Sequence, residues 1–253
     1  MIRLSLLSRA SVAIALGGSL FGFATAALPA TPEEAAPAST DVAASLSIAP
    51  LRVEVDSGAD GATVYLTNAS ARELPVQARL FAWTQDGGND VYAPSSELTV
   101  SPSISMIPPG ETQIVRLLRK VGAGKGEKRF RLAVDQLPDP SRVQAGQAAT
   151  RIRFTIPVFV DRDTAGDAAL AWRLTDDRLE LANTGGATAK IVGLAVKTGG
   201  GSDVQLEQNT LRYVHGNSTI AWPIGKGCSL GPVKITAQVD GRTVDAQPSS
   251  TCG

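Results

Sequence analysis

The sequence predicts an all-β fold of two sandwich domains, and three observations support this prediction. Short runs alternate apolar and polar residues at a period of two, which places successive side chains on opposite faces of a strand. Turn-forming residues cut these runs at regular intervals, as at Asp56-Ser57-Gly58 and Asp86-Gly87-Gly88. After the N-terminal region, no stretch shows a helical apolar period over three turns. About 225 residues with this spacing suffice for two sandwiches of about 100 residues each.

Residues 1–26 have the features of a secretory signal peptide. Arg3 and Arg9 provide the positive start, residues 10–23 are largely apolar, and Ala24-Thr25-Ala26 offers small side chains for cleavage. The apolar run is shorter than the roughly 20 residues of a membrane-spanning helix, so a cleaved signal is favoured over a membrane anchor. Residues 27–44 are rich in Ala, Pro, Thr and Glu without an apolar period, which predicts a flexible leader.

The charge balance argues against a polyanionic partner. The chain has 24 Lys and Arg residues against 24 Asp and Glu residues, and loss of Arg3 and Arg9 with the signal would leave a formal charge of about −2. Such a chain has no global attraction to nucleic acid or to anionic lipid. Any electrostatic function must therefore be local.

Cysteine and histidine content excludes a metal centre and predicts one cross-link. Cys228 and Cys252 are the only cysteines, and an even pair in an exported chain is most simply one disulfide. The sole histidine, His215, precedes Gly216-Asn217, so we expect a surface residue beside a turn rather than a ligand or a base. No metal and no cofactor is expected.

The apolar runs divide into two domains. The first is expected over residues 45–162, and the second over residues 163–253, with a polar, Gly-containing break at residues 161–167. Strands of the first domain are indicated at Leu51-Val53-Val55, Val64-Leu66 and Val76-Ala78-Leu80. Those of the second are indicated at residues 169–174, 178–182, 189–196, 218–222, 233–239 and 242–246.

The last strand of the first domain has the sequence RIRFTIPVFV, residues 151–160. Ile152, Phe154 and Ile156 alternate with polar residues, and Val158 continues the same row. By strand count it is the seventh, and the final strand of a seven-stranded sandwich lies at or near a sheet edge. An edge strand offers its backbone and apolar row to another chain, whereas a central strand would bury them in its own core.

Several segments, in order, resemble the periplasmic chaperones of the chaperone–usher pilus pathway. The segments that carry the resemblance are Ile48-Ala49-Pro50-Leu51-Arg52-Val53, Leu66-Thr67-Asn68, Phe81-Ala82-Trp83, residues 107–113 with Val115-Arg116-Leu117, residues 130–138, and Ile156-Pro157-Val158-Phe159-Val160. The last has the form found in the branch that assembles spore-coat-U-like subunits. The resemblance implies two immunoglobulin-like sandwiches in an L-shaped arrangement.

The resemblance also implies a function, which is to lend a strand to an incomplete pilus subunit before delivery to an outer-membrane usher. Residues 150–160 would be the lent strand. The side chains of Ile152, Phe154, Ile156 and Val158 would then enter the groove of the subunit; the alternative is that they are simply core. The implied location is the periplasm, and the implied partners are pilus subunits and the usher.

A cationic anchor for the carboxylate at the C-terminus of the subunit is a further implication. Arg52 aligns with the family's first-strand anchor, while Pro157 stands where the family commonly has a lysine. Arg131 is the candidate substitute, with Arg153 behind it. The alternative is that Arg131 and Arg153 are solvated charges that discourage aggregation at a sheet edge.

Two other classes of function are an enzyme and a secreted binding module. An enzyme is not expected, because the chain has no Gly-rich phosphate loop, no metal-spaced cluster and no nucleophile with a histidine near a motif. A small-molecule substrate is not expected either. A secreted two-domain immunoglobulin-like adhesin or binding module remains the alternative, since the same fold can bind a fixed ligand.

Overall fold

A computed structural model describes residues 46–138, 152–206 and 211–252. The predicted signal peptide, the predicted leader and the first two residues of the expected lent strand, Thr150 and Arg151, lie outside the described residues. No helix among these residues is long and apolar enough to cross a membrane.

Among the described residues, ten strands form the first sandwich. In chain order they are β1 (Leu46–Ala49), β2 (Val53–Val55), β3 (Gly61–Asn68), β4 (Leu74–Asp86), β5 (Asn89–Pro94), β6 (Leu98–Ser101), β7 (Ile104–Ile107), β8 (Thr112–Arg119), β9 (Lys128–Gln136) and β10 (Arg153–Val160). One sheet has the order β1-β3-β8-β6, and the other β2-β10-β9-β4-β5 with β7 also paired to β4. Counted along the chain, β10 is the tenth strand and not the seventh, because additional short strands lie between the longer ones in the sequence.

The core of the first sandwich lies between its two sheets. β3 buries Val64 and Leu66 while Tyr65 between them is exposed, as the period of two requires. β4 and β5 are joined by Gly87 and Gly88, whose φ angles of 55° and 82° suit a two-residue hairpin turn.

Eight strands form the second sandwich. They are β11 (Leu170–Leu174), β12 (Arg178–Asn183), β13 (Ala189–Thr198), β14 (Arg212–Val214), β15 (Ser218–Pro223), β16 (Val233–Val239), β17 (Arg242–Ala246) and β18 (Ser249–Ser250). The sheets have the orders β15-β12-β11-β18 and β14-β13-β16-β17. Their core includes a stacked pair, Trp172 and Trp222, with ring centres 5.5 Å apart. Short 3₁₀ turns lie at Arg162–Thr164 and Gly227–Leu230.

Candidate functional site

β10 has strand neighbours on both sides only along its last three residues. Residues 158–160 pair in parallel with β2, and the whole strand pairs antiparallel with β9. Residues 153–156 therefore have one strand neighbour among the described residues, and on their other side the described part of the sheet ends in an open edge. An open edge presents unpaired N–H and C=O groups that another strand can bind.

The backbone groups that face this edge follow from the register. The Gln136 N–H donates to the Ile152 carbonyl at 3.0 Å, and antiparallel pairing alternates between bonded and non-bonded positions. Odd-numbered residues of β10 therefore direct their backbone groups away from β9. The open edge offers the N–H and C=O of Arg153 and Thr155, whereas the C=O of Pro157 is directed to β2, where Val53 begins the parallel pairing. The missing N–H of Pro157 falls on the unpaired side, where sheets tolerate proline.

The apolar row of β10 runs from the rim of the sandwich into its core. Ile152 and Phe154 are half-buried, and Phe154 packs against the core. Ile156 and Val158 expose 2% and 0% of their surface and belong to that core. The expectation that Ile156 and Val158 are available to a partner is wrong, because this part of the strand lies between the two sheets. Only the first half of the row reaches the rim.

On the opposite face of the same sheet, three aromatic rings join the sandwiches. Trp83 of β4 and Phe159 of β10 come from the first, and Tyr213 of β14 comes from the second. The Trp83 ring centre lies 5.1 Å from that of Tyr213, in an edge-on arrangement, and 6.2 Å from that of Phe159. All three are buried. We call these rings the inter-sandwich cluster.

Arg131 lies directly on this cluster. Its guanidinium carbon is 3.8 Å from the Trp83 ring centre and 5.1 Å from that of Tyr213. Its Nε is buried without a hydrogen-bond partner, and Arg131 forms no ion pair with any residue in the described ranges. A desolvated cation–π contact is worth about 2 kcal/mol and so offsets part of the cost of removing the charge from water. It does not supply an anion. Arg131 is therefore a half-buried cation that lies beside the Tyr92 hydroxyl and pairs with no carboxylate among the described residues.

Arg52 borders the same cluster from the bend between β1 and β2. It points off the core as expected, with its guanidinium carbon 4.5 Å from the Phe159 ring centre. Its Nη2 lies 2.5 Å from Glu54 Oε1, and its Nη1 lies 4.0 Å from Asp240 Oδ1. A carboxylate that approaches Arg52 would thus compete with Glu54.

Arg153 is not brought to the cluster. Its side chain is 59% exposed and pairs with Asp135, which also accepts a hydrogen bond from Arg79 at 2.7 Å. Arg131 lies opposite Pro157 in the register, four residues beyond Arg153, or roughly 13 Å along the strand. Of the three candidate anchors, the structure therefore gathers Arg52 and Arg131 and leaves Arg153 apart.

A buried carboxylate forms a second contact between the sandwiches. The side chain of Glu127 is 0% exposed, accepts from Arg129 Nε at 2.8 Å and pairs with Arg162. The backbone N–H of Thr188, in the second sandwich, donates to Glu127 at 3.0 Å, and Arg129 Nη2 donates to the Gly186 carbonyl at 2.9 Å. Burial would raise the pKa of Glu127, but hydrogen bonds from Thr188 and Arg129 outweigh it and lower that pKa. Glu127 is therefore held as an ion.

His215 is buried, so the expectation of a surface residue is wrong. It exposes 1% of its surface, and its ring centre lies 4.3 Å from that of Trp83. Its backbone N–H donates to Gln85 Oε1 at 2.9 Å, and Gln85 Nε2 donates to the Tyr213 carbonyl at 2.8 Å. Burial and then the charge of Arg129 lower the pKa of His215 to about 4. The turn that follows His215 was correctly identified, but the second sandwich docks this turn against the first.

Sequence reasoning missed Tyr213 and Glu127 as site residues and treated Trp83 only as part of a strand. One signal pointed to the cluster. From Ile156 to Val160 every residue of β10 is apolar and buried, which breaks the alternation seen earlier in the strand. A strand that is apolar on both faces is covered on both faces, so Phe159 indicated a second layer.

Cys228 and Cys252 form a disulfide with a Cα–Cα distance of 5.4 Å. It ties the Gly227–Leu230 turn to the segment after β18. Within residues 46–138, 152–206 and 211–252, no group of three or more His, Cys, Asp and Glu side chains is arranged to hold a metal ion.

Comparisons with known proteins bear on this arrangement. Residues 45–163 match the family of pili and flagellar-assembly chaperones, PapD N-terminal domain. A chain from the CsuC–CsuE chaperone–tip adhesion subunit pre-assembly complex, of the archaic chaperone–usher Csu pili of Acinetobacter baumannii, has 23% sequence identity and a TM-score of 0.64, and the match covers 82% of this chain and 100% of that chain. The E. coli chaperone DraB has 18% identity and a TM-score of 0.57, with 82% and 97% covered.

A third similar structure comes from the Salmonella enterica SafA pilin in complex with the SafB chaperone, with 16% identity, a TM-score of 0.59, and 81% and 96% of the two chains covered. A comparison with curated protein sequences finds no match. The likeness to these structures confirms the predicted fold of two immunoglobulin-like sandwiches.

Proposed function

We propose that this chain binds pilus subunits in the periplasm, pairs its β10 strand with them and delivers them to an outer-membrane usher. The proposal draws on the match of residues 45–163 to the family of pili and flagellar-assembly chaperones, PapD N-terminal domain. The observation that supports this most directly is the open edge of residues 153–156 beside a half-buried Arg131 that pairs with no carboxylate among the described residues. The open edge offers backbone groups for strand pairing, and Arg131 offers a positive charge.

The open edge accounts for backbone recognition. A subunit strand added to β10 would hydrogen-bond to the backbone groups of Arg153 and Thr155, which is recognition by strand addition. Phe154 and Ile152 at the rim are the apolar side chains of β10 that a subunit could cover. Full burial of each is worth about 1.5–3 kcal/mol before the cost of ordering is subtracted.

The charge at Arg131 accounts for register. A C-terminal carboxylate accepts two parallel hydrogen bonds from one guanidinium, and Arg131 has donors that no described carboxylate uses. Arg52 lies on the other side of the inter-sandwich cluster and would assist, at the cost of loosening its pair with Glu54. Arg153 already pairs with Asp135 and has no anchoring role in this proposal.

The strand assignment is tested by co-expression with a spore-coat-U-like pilus subunit. Wild type should yield a soluble one-to-one complex and protect the subunit from proteolysis, and Phe154→Asp should abolish both while keeping its own thermal transition. Ile114→Asp is the matched control, because Ile114 is exposed on the outer face of the other sheet. A subunit that aggregates equally with and without wild type would favour the adhesin or binding module.

The anchor is tested with the same subunit carrying a C-terminal carboxylate or a C-terminal amide. Arg131→Gln should weaken capture of the carboxylate form about tenfold or more, the effect of removing a charged hydrogen bond, and leave the amide form unchanged. Arg116→Gln is the control, because Arg116 is an exposed residue of β8. Equal capture of both forms by wild type would rule out carboxylate anchoring while leaving strand pairing untouched.

A further inference from the structure

Tyr213 brings the second sandwich to the edge of the candidate anchor. It lies on β14, and its ring centre is 5.1 Å from that of Trp83 and 6.2 Å from that of Phe159. The Arg131 guanidinium carbon lies 5.1 Å from the same ring centre. The two sandwiches therefore meet at Arg131, a cation for which the described residues provide no carboxylate.

The hydroxyl of Tyr213 is an available donor. It forms no hydrogen bond with any residue in the described part of the chain. Burial raises the pKa of Tyr213, the positive charges of Arg131 and Arg52 lower it, and Asp240 raises it. Both candidate anchors therefore act on this one hydroxyl, and Asp240 is the carboxylate that faces it from the second sandwich.

We propose that the Tyr213 hydroxyl donates a hydrogen bond to the C-terminal carboxylate of the bound subunit, beside the guanidinium of Arg131, so that the carboxylate bridges the two sandwiches. This inference rests on the proposed function. The bond is of the O–H···O⁻ type, which is shorter and stronger than a bond between neutral groups. A neutral hydroxyl adds a donor without adding repulsion between cations.

Bridging has a consequence for the whole chain. Since Arg131 belongs to the first sandwich and Tyr213 to the second, an anion bound to both stabilises their contact. By linkage, an intact contact between the sandwiches increases affinity for the anion by the same factor. Subunit capture would then depend on the second sandwich through one hydroxyl group.

The test uses the full mature chain and two probes, an acetylated heptapeptide of alternating threonine and valine with a free C-terminal carboxylate, and the same peptide as its C-terminal amide. Dissociation constants are measured by NMR from the indole N–H of Trp83, because Arg131 and Tyr213 both contact that ring. The variants are Tyr213→Phe, which keeps the ring, and Tyr65→Phe as a control on the other sheet, where Tyr65 is exposed.

Wild type and Tyr65→Phe should prefer the carboxylate peptide. Tyr213→Phe should reduce that preference about tenfold, the loss of one hydrogen bond to a charged group, and leave the amide peptide unchanged. A Tyr213→Phe variant that keeps the full preference would overturn this inference and leave the Arg131 anchor intact. Equal or undetectable binding of both peptides by wild type would overturn the anchor and this inference together.

Discussion

Acid should weaken the fold of this chain in a pH range set by one residue, His215. This imidazole is buried against Trp83 between the sandwiches, and its Nε2 has no hydrogen-bond partner. Burial and the charge of Arg129 lower the pKa of His215 from its usual 6.5 to about 4, with Arg131 acting in the same sense. Asp90 and Glu127 act in the opposite sense and are outweighed.

The sign and size of the effect follow from linkage. Between pH 6.5 and 4 the unfolded chain binds a proton at His215 that the folded chain does not bind, so the free energy of unfolding falls as the pH falls. A difference of this size is worth about 3 kcal/mol in total. By about pH 5, roughly 2 kcal/mol of it should be lost relative to pH 8.

The measurement compares wild type with His215→Phe, which keeps an aromatic ring against Trp83 and removes the titration. The free energy of unfolding in urea is determined from about pH 8 down to pH 5, above the range in which Glu127 takes up protons. Wild type should lose about 2 kcal/mol more than the variant over this range. Parallel curves would refute the assignment of a buried, neutral His215.

Two further predictions concern stability. Glu127→Gln leaves Arg129 and Arg162 without their buried carboxylate and should lower the free energy of unfolding in urea by about 3 kcal/mol. The control is Glu97→Gln at an exposed pair with Lys128, which should lower it by at most about 1 kcal/mol. Equal losses in the two variants would contradict a structural role for the buried network. Replacing both Cys228 and Cys252 by serine should cost about 3 kcal/mol, since the disulfide closes a loop with a sequence separation of 24. A reductant should lower the thermal midpoint of wild type and leave that of the double variant unchanged.

Most of the fold was predictable because strand formation depends on local alternation. In the second sandwich, the predicted segments correspond to β11, β12, β13, β15, β16 and β17, with ends that differ by two residues at most. β14 was missed because three residues show no period, and β18 because it has only two. The disulfide partners followed from the presence of only two cysteines.

The site was less predictable, because burial depends on what covers a face. Ile156 and Phe154 belong to the same alternating apolar row in the sequence. Ile156 is nevertheless part of the core, whereas Phe154 lies at the rim of the sandwich. His215 has the sequence context of an exposed turn, and it is buried only because Trp83 and Gln85 of the first sandwich meet it. Nothing near His215 in the sequence contains that information.

The sequence by itself determined a chain of alternating strands, its division into two sandwiches, one disulfide and a short set of candidate cations. Tertiary structure decided which half of β10 has an open edge. It also decided that Arg52 and Arg153 each pair with a carboxylate, whereas Arg131 pairs with none in the part of the chain that the structure describes. The physical reason is the distance in sequence between a residue and the residues that determine each property. The side to which a residue points is set by its own strand, whereas partners and burial are set by strands distant in sequence.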